Sequence, residues 1–251
     1  MRKSVICFAS VLALFVASDA SAQWGLPLDG RLTVNVNVGF QPSSDDVNRT
    51  SSFTLYDEPA EVSTSQEVKG GAFFEIGATY RVRGSLGVGL SYTRLSSDEP
   101  GTISGSLPHP LFFDQPRTFS QTVGDLEHKE QAVHLQAVWF VPFVEHVDFS
   151  IFGGPSFFTV TQGFARGVTF SENPPDFNVV TIDSVDVATL EESAVGFNIG
   201  AEGIYTVTRN VGVAAMLRYT RASADFDLGQ GQTASVDAGG FQLAAGVRLR
   251  F

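Results

Sequence analysis

The residues able to do chemistry in this chain are few, and most stand in stretches where apolar and small polar residues alternate. Glu75, His134, Glu202, Arg218 and Arg248 all fall on the side of such a stretch that otherwise carries Gly, Ser, Thr, Asn or Gln. A charge held away from bulk water must pair or cost several kcal/mol. Glu75 and Glu202 are therefore expected to form a polar network with Arg218 and Arg248, with His134 at a similar level. Such a network has two readings. It can replace an apolar core and plug an interior, or it can line a gated polar path. Four histidines, His109, His128, His134 and His146, are the available general bases. His128, beside Glu127 and Glu130, is the best placed of them for a Ser/His/acid arrangement, but serines are plentiful and no nucleophile motif frames it. No cofactor motif appears, and no catalytic residue is assigned.

The elements that must position these residues are strands, because period two dominates from Arg31 onward. Eight long strands are predicted: 31–40, 68–82, 85–95, 129–141, 146–160, 193–207, 210–221 and 238–251. On the last, Phe241, Leu243, Ala245, Val247, Leu249 and Phe251 oppose Gln242, Gly246, Arg248 and Arg250. The connections alternate in length. Tight ones are expected at 83–84, 142–145 and 208–209, and long ones at 41–67, 96–128, 161–192 and 222–237. Short turns on one rim and long loops on the other is the layout of an outer-membrane barrel.

One face of every strand is Val, Leu, Ile, Phe or Ala. A soluble barrel would turn that face inward, and a membrane barrel turns it toward lipid. The glycine-rich polar face and the aromatics near strand ends (Phe40, Tyr80, Tyr92, Trp139, Tyr205, Tyr219, Phe251) favour the membrane. Alternation runs to an aromatic final residue, so Phe241, Leu243, Val247, Leu249 and Phe251 are read as an assembly signal.

The amino terminus reads as a signal peptide over 1–22: Arg2 and Lys3, an apolar run from Val5 to Val16, then Ala20-Ser21-Ala22 before a cleavage that leaves Gln23 first. The apolar run is shorter than the roughly 20 residues of a spanning helix. Residues 23–30 are expected to form a short periplasmic segment ahead of a single barrel domain at 31–251. Cys7, the one cysteine, lies in the signal, so the mature chain has no disulfide or thiolate metal site. The net charge of −11 argues against nucleic acid as a partner.

On strand count, loop asymmetry and terminus, the region from Arg31 to Phe251 resembles the small eight-stranded outer-membrane proteins of the OmpA-barrel, OmpX and OmpW type. The resemblance implies an all-β, antiparallel, up-and-down transmembrane barrel in the bacterial outer membrane. It also implies contact with outer-membrane lipid and lipopolysaccharide, and with the barrel-assembly machinery during biogenesis. Relatives of this kind include adhesins, serum-resistance factors and proposed channels for small apolar compounds. The expected role is non-enzymatic, in envelope structure or surface recognition and adhesion; the alternative is a narrow channel for small or apolar solutes.

The long connections carry many carboxylates, among them Asp57, Glu58, Glu61, Asp114, Glu172 and Asp176, without the spacing of a Ca²⁺ loop. They are expected to be solvated, and no metal site is assigned. Residues 102–107 and 117–123 flank a proline-framed tip that carries Leu111, Phe112 and Phe113. Residues 168–170 and 179–187 similarly flank Asn173–Asp176. Both pairs predict strands continuing past the membrane. The Leu-Phe-Phe tip either packs on a neighbouring loop or meets lipid or a partner.

Overall fold

The computed structural model describes residues 30–42, 44–229 and 232–251; the expected signal peptide, its cleavage site and most of the short segment after it lie outside them. Ten strands follow in order: β1 (Leu32–Phe40), β2 (Ser44–Leu55), β3 (Glu58–Lys69), β4 (Ala72–Arg83), β5 (Leu86–Leu107), β6 (Arg117–Val144), β7 (Val147–Glu172), β8 (Val180–Thr206), β9 (Val211–Gly229) and β10 (Gln232–Arg250). Eight of them close a ring. β1 pairs antiparallel with both β4 and β10, and β4–β5, β5–β6, β6–β7, β7–β8, β8–β9 and β9–β10 complete the circuit. The ring is an eight-stranded antiparallel barrel, and closure leaves no edge through its middle.

The two additional strands correct the expectation of a long first loop at 41–67. β2 and β3 form a hairpin, with Ser44 opposite Lys69 and Leu55 opposite Glu58. β3 then pairs with the far half of β5, from Glu61 opposite Ser106 to Gln66 opposite Gly101. β4 takes the near half of β5, so β3 and β4 lie end to end along one long neighbour. The hairpin turns at Tyr56 and Asp57, both left-handed with φ of 52° and 62°, as a two-residue turn that follows strand twist requires.

The other long connections are also mostly strand. β6, expected over 129–141, runs from 117 to 144, and β7, expected to end near 160, reaches 172. Nothing in these segments interrupts the ladder, so pairing continues until the proline-framed tips at 108–116 and 173–179. At the other rim the turns are tight. Gly84, at φ +57°, meets no atom within 4 Å of an added Cβ, so its role there is conformational. Glu145 and His146 close β6 to β7, and 207–210 close β8 to β9.

Two apolar clusters fill the interior of the long-strand half. One joins Ala132, Phe158, Val160, Phe164, Ala194, Ala222, Ala224, Phe226, Val236 and Ala238 from five successive strands. The other joins Ile103, Val123, Leu126 and Ala165. A third cluster, deeper in the barrel, includes Phe73, Leu95, Val138, Phe152 and Met216. The face expected to be polar thus also carries large apolar side chains where the interior needs volume.

Candidate functional sites in the lumen and at the strand tips

Side-chain direction decides what kind of barrel this is. Leu86, Val88, Leu90, Leu135, Trp139, Ile151, Val195, Ile199, Leu217 and Leu243 are all exposed, with Val195 at 72% and Trp139 at 57%. They form a band around the outer wall, while Glu75, His134, Arg218 and Arg248 are buried inside. A soluble protein does not show water a belt of this size with its charges buried within. The barrel spans a membrane.

The barrel's chain path can be set beside known proteins. No protein-family model and no curated protein matches the sequence. Among solved structures it is similar to Neisserial surface protein A, at 17% identity over 88% of this chain and 97% of that one, with a TM-score of 0.39. It is similar to the outer membrane protein OprG from Pseudomonas aeruginosa at 11% identity, covering 88% and 96% of the two chains, with a TM-score of 0.40. The outer membrane protease OmpT from Escherichia coli aligns at 8% identity over 88% and 97%, with a TM-score of 0.48. The barrel assignment rests on the strand pairings and the apolar wall, not on these likenesses.

Inside the barrel, polar side chains join in layers. In the middle layer the Arg218 guanidinium pairs with Glu75, and both are almost wholly buried. Arg218 also donates to Thr93 Oγ1 at 3.0 Å and to Gln242 Oε1 at 2.7 Å. Glu75 accepts from Asn37 Nδ2 at 2.6 Å and from the Thr93 hydroxyl at 3.2 Å. With that proton committed, Thr93 accepts from His134 Nε2 at 3.1 Å, and His134 Nδ1 lies 2.7 Å from the Ser156 hydroxyl oxygen. Asn198 Nδ2 donates to Ser156 at 2.9 Å. The network therefore places a proton on His134 Nε2.

One layer toward the short-turn rim, Arg248 pairs with Glu202 and donates to Asn37 Oδ1 at 2.7 Å. Beyond it Arg250 reaches Asp148 at 3.4 Å. The five residues expected to meet in the lumen thus divide into two charge pairs, Arg218 with Glu75 and Arg248 with Glu202. Asn37 bridges the pairs, and His134 joins the first through Thr93.

A third layer, at the long-strand end of the lumen, was not anticipated. Gln41 accepts from Gln242 Nε2 at 2.7 Å and donates to the Gly239 carbonyl at 2.9 Å. Glu130 accepts from the Gly239 amide at 3.1 Å, and its other oxygen lies 3.0 Å from His128 Nε2. His128 Nδ1 lies 2.6 Å from Gln162 Oε1. Burial opposes a charge on His128, but the bond and charge of Glu130, with help from Gln162, outweigh it and raise its pKa. His128 and Glu130 are both buried and point inward. Their parity is that of His134 and Gln136, so extending the alternation six residues upstream would have found them.

At the far tips, Arg117 ties two connections together, and Tyr56 joins a third to them through Glu172. Its guanidinium pairs with Glu172 and donates to the Phe177 carbonyl at 2.7 Å and the Pro108 carbonyl at 2.6 Å. The Tyr56 hydroxyl donates to the other oxygen of Glu172 at 2.8 Å. That hydrogen bond, then burial and the carboxylate's charge, raise the phenol's pKa against the opposing pull of Arg117. The Asp114 amide donates to Glu58 at 3.0 Å, and His109 Nε2 lies 3.0 Å from the Asp176 carbonyl. Carboxylates expected to be merely solvated therefore clamp the tips. Leu111, Phe112 and Phe113 project from this knot, 61%, 54% and 80% exposed. Phe112 makes a ring contact there with His109, at 4.9 Å.

Proposed function

We propose that the protein is a closed-lumen barrel of the bacterial outer membrane whose work is done by its strand tips, in surface recognition or adhesion and in support of the envelope. The observation that carries this reading is the knot around Arg117, which fixes three tips and leaves Leu111, Phe112 and Phe113 outward. Holding large apolar side chains in water on a clamped scaffold costs stability, and such patches mark contact sites. Pre-organisation of this kind reduces the ordering cost of binding.

A non-catalytic role is supported by the state of the histidines. His134 and Ser156 are hydrogen-bonded but fully buried, and His128 is buried as well. The outer wall fits lipid and lipopolysaccharide as the barrel's surroundings. Phe241, Leu243, Val247 and Leu249 on β10, and Phe251 just after it, are exposed on the outer side. The Phe251 amide donates to the Leu32 carbonyl at 2.8 Å. A carboxy-terminal strand that closes the ring against β1 is well placed to be the signal that the assembly machinery reads.

Purified, refolded protein in planar bilayers tests the closed lumen. The expected record shows no steady unit conductance. Reproducible unitary steps would overturn the proposal in favour of a narrow channel.

A further inference from the structure

Beneath the Arg218–Glu75 layer, the short-turn half of the lumen is incompletely filled. A cavity there offers about 40 Å³ to solvent, room for a few waters or one small anion. β4 and β5 place Gly77 and Gly89 on the inner wall beside the cavity. A Cβ at Gly77 would lie 2.7 Å from the Ser91 Cβ and 2.9 Å from Asn35 Oδ1. One at Gly89 would approach Gln136 and Thr79 within 3.1 and 3.3 Å. Glycine at both positions lets Asn35, Thr79, Ser91 and Gln136 pack close to the wall, and these four form the cradle that lines the cavity.

Two features of the cradle point to a ligand. Ser91 is 5% exposed, and its hydroxyl, lining this cavity, has no hydrogen-bond partner. A buried hydroxyl left unpaired costs about 1–3 kcal/mol. The second feature is charge. The three carboxylates lining the cavity are each committed to an arginine: Glu75 to Arg218, Glu202 to Arg248 and Asp148 to Arg250. Arg31 and Arg81 also line it, and among the described residues neither has a carboxylate partner. Arg81 is held over the Phe140 ring, 4.4 Å from its centroid, which fixes the guanidinium at the neck. In a protein of net charge −11, this vestibule carries an excess of positive charge in a confined, low-dielectric space.

We propose that this vestibule binds a small oxyanion of phosphate or carboxylate type. Arg81 and Arg31 supply the charge, and the Ser91 hydroxyl supplies a donor at the blind end. Entry is through the ring of short turns. The strand wall is continuous, so the ligand comes from the aqueous phase at that rim, not from a lipid headgroup anchored outside the wall.

Inorganic phosphate is the probe. Full-length protein is refolded in a phosphate-free, non-ionic detergent and followed by phosphorus NMR linewidth at constant ionic strength. Wild type should broaden the phosphate line saturably. R81Q and R31Q should each weaken binding about tenfold or more, and S91A by a smaller factor. R221Q, whose arginine pairs with Asp237 outside the lumen near the opposite end, should bind as wild type does. Heat-modifiable migration establishes that each variant is folded. Should R81Q fail to fold, R31Q, altered at an exposed position, and R81K, which retains charge and binding, decide the matter. Absence of saturable broadening with wild type, or unchanged binding by R31Q and S91A together, overturns the proposal. Neither result bears on the closed lumen or the tips, which the conductance record tests separately.

Discussion

At the residue scale, the Arg218–Glu75 pair is the contact whose removal should cost most. Both side chains are almost wholly buried. Removing one member of such a pair strands the other charge, at about 3–5 kcal/mol. Arg218→Ala should therefore unfold at clearly lower urea than wild type. Arg94→Ala, at an exposed position on β5, should change stability by about 0–1 kcal/mol, as surface charges do. Adding Glu75→Gln to Arg218→Ala should recover part of the loss, because no uncompensated carboxylate remains. Adding Glu202→Gln should not, since Glu202 belongs to Arg248. Equal, small effects of Arg218→Ala and Arg94→Ala would place Arg218 in water.

His128 supplies a pH dependence. Its level on β6 is that of outward-facing Lys129, above the apolar belt, so it titrates outside the membrane. Glu130 raises its folded-state pKa above the ordinary value. The stabilisation is then present in full below about 6.5, where both states are protonated, and is lost as pH rises through the folded-state value. The stability gap between wild type and His128→Gln should be wider at pH 5.5 than at pH 8.5. A gap independent of pH would mean that His128 is not charged in the folded protein.

At the scale of elements, what the sequence made legible follows from how strictly period two is kept. β1, the near halves of β4 to β9, and β10 alternate cleanly, so strand count in the ring, turn positions and wall direction were readable. β2 and β3 were not. Their sequences, SDDVNRTSSFTL and EPAEVSTSQEVK, are polar on both faces, and their turn at Tyr56–Asp57 lacks the glycine that usually announces one. Above Pro100–Gly101 a bulge shifts the register between β5 and β6. Inward residues on β6 pass from Leu126 to Val123, and parity no longer tells inside from outside. The luminal charge partners were out of reach for another reason. Heights along eight staggered strands are fixed by register, which alternation alone does not give.

Two predictions belong to this scale. Arg117→Ala removes the group that ties the 108–116 and 173–179 tips to each other. Limited proteolysis of intact cells should then cut within those tips, while wild type stays resistant. Equal resistance would mean that Arg117 does not hold them. Phe251→Ser places a hydroxyl at the end of the strand that closes the ring on β1. Heat-modifiable protein in the outer membrane should fall. Normal levels of such protein would remove Phe251 from the assembly signal.

At the scale of the whole molecule, the proposed closed lumen rests on two kinds of packing, by different physics. In the membrane, charge pairs and amides occupy the lumen from Gln41 to Arg248, and passage would require a solute to displace bonds made in a low dielectric. The inner faces of the strands also meet in an apolar core that begins at Phe158, beside His134, and continues through Val160 and Phe164 to Phe226, the last fully buried. At its far end the Phe164 and Phe226 rings pack edge to face, 5.2 Å apart. The core reaches beyond the Arg218–Glu75 layer, so breaching that layer alone should not open the path. The double variant Arg218→Ala, Glu75→Gln empties the middle of the lumen without leaving a charge behind, and it should still show no steady unit conductance in planar bilayers. Replacing Phe164 and Phe226 with serine in that background removes the dry seal as well, and unitary steps should then appear. If the first double variant already conducts, ions pass the Phe226 cluster in the native barrel and the polar network is the only closure. If the quadruple variant stays silent while folded, a third constriction closes the path, and the inner Phe73, Leu95 and Phe152 cluster is where it would lie.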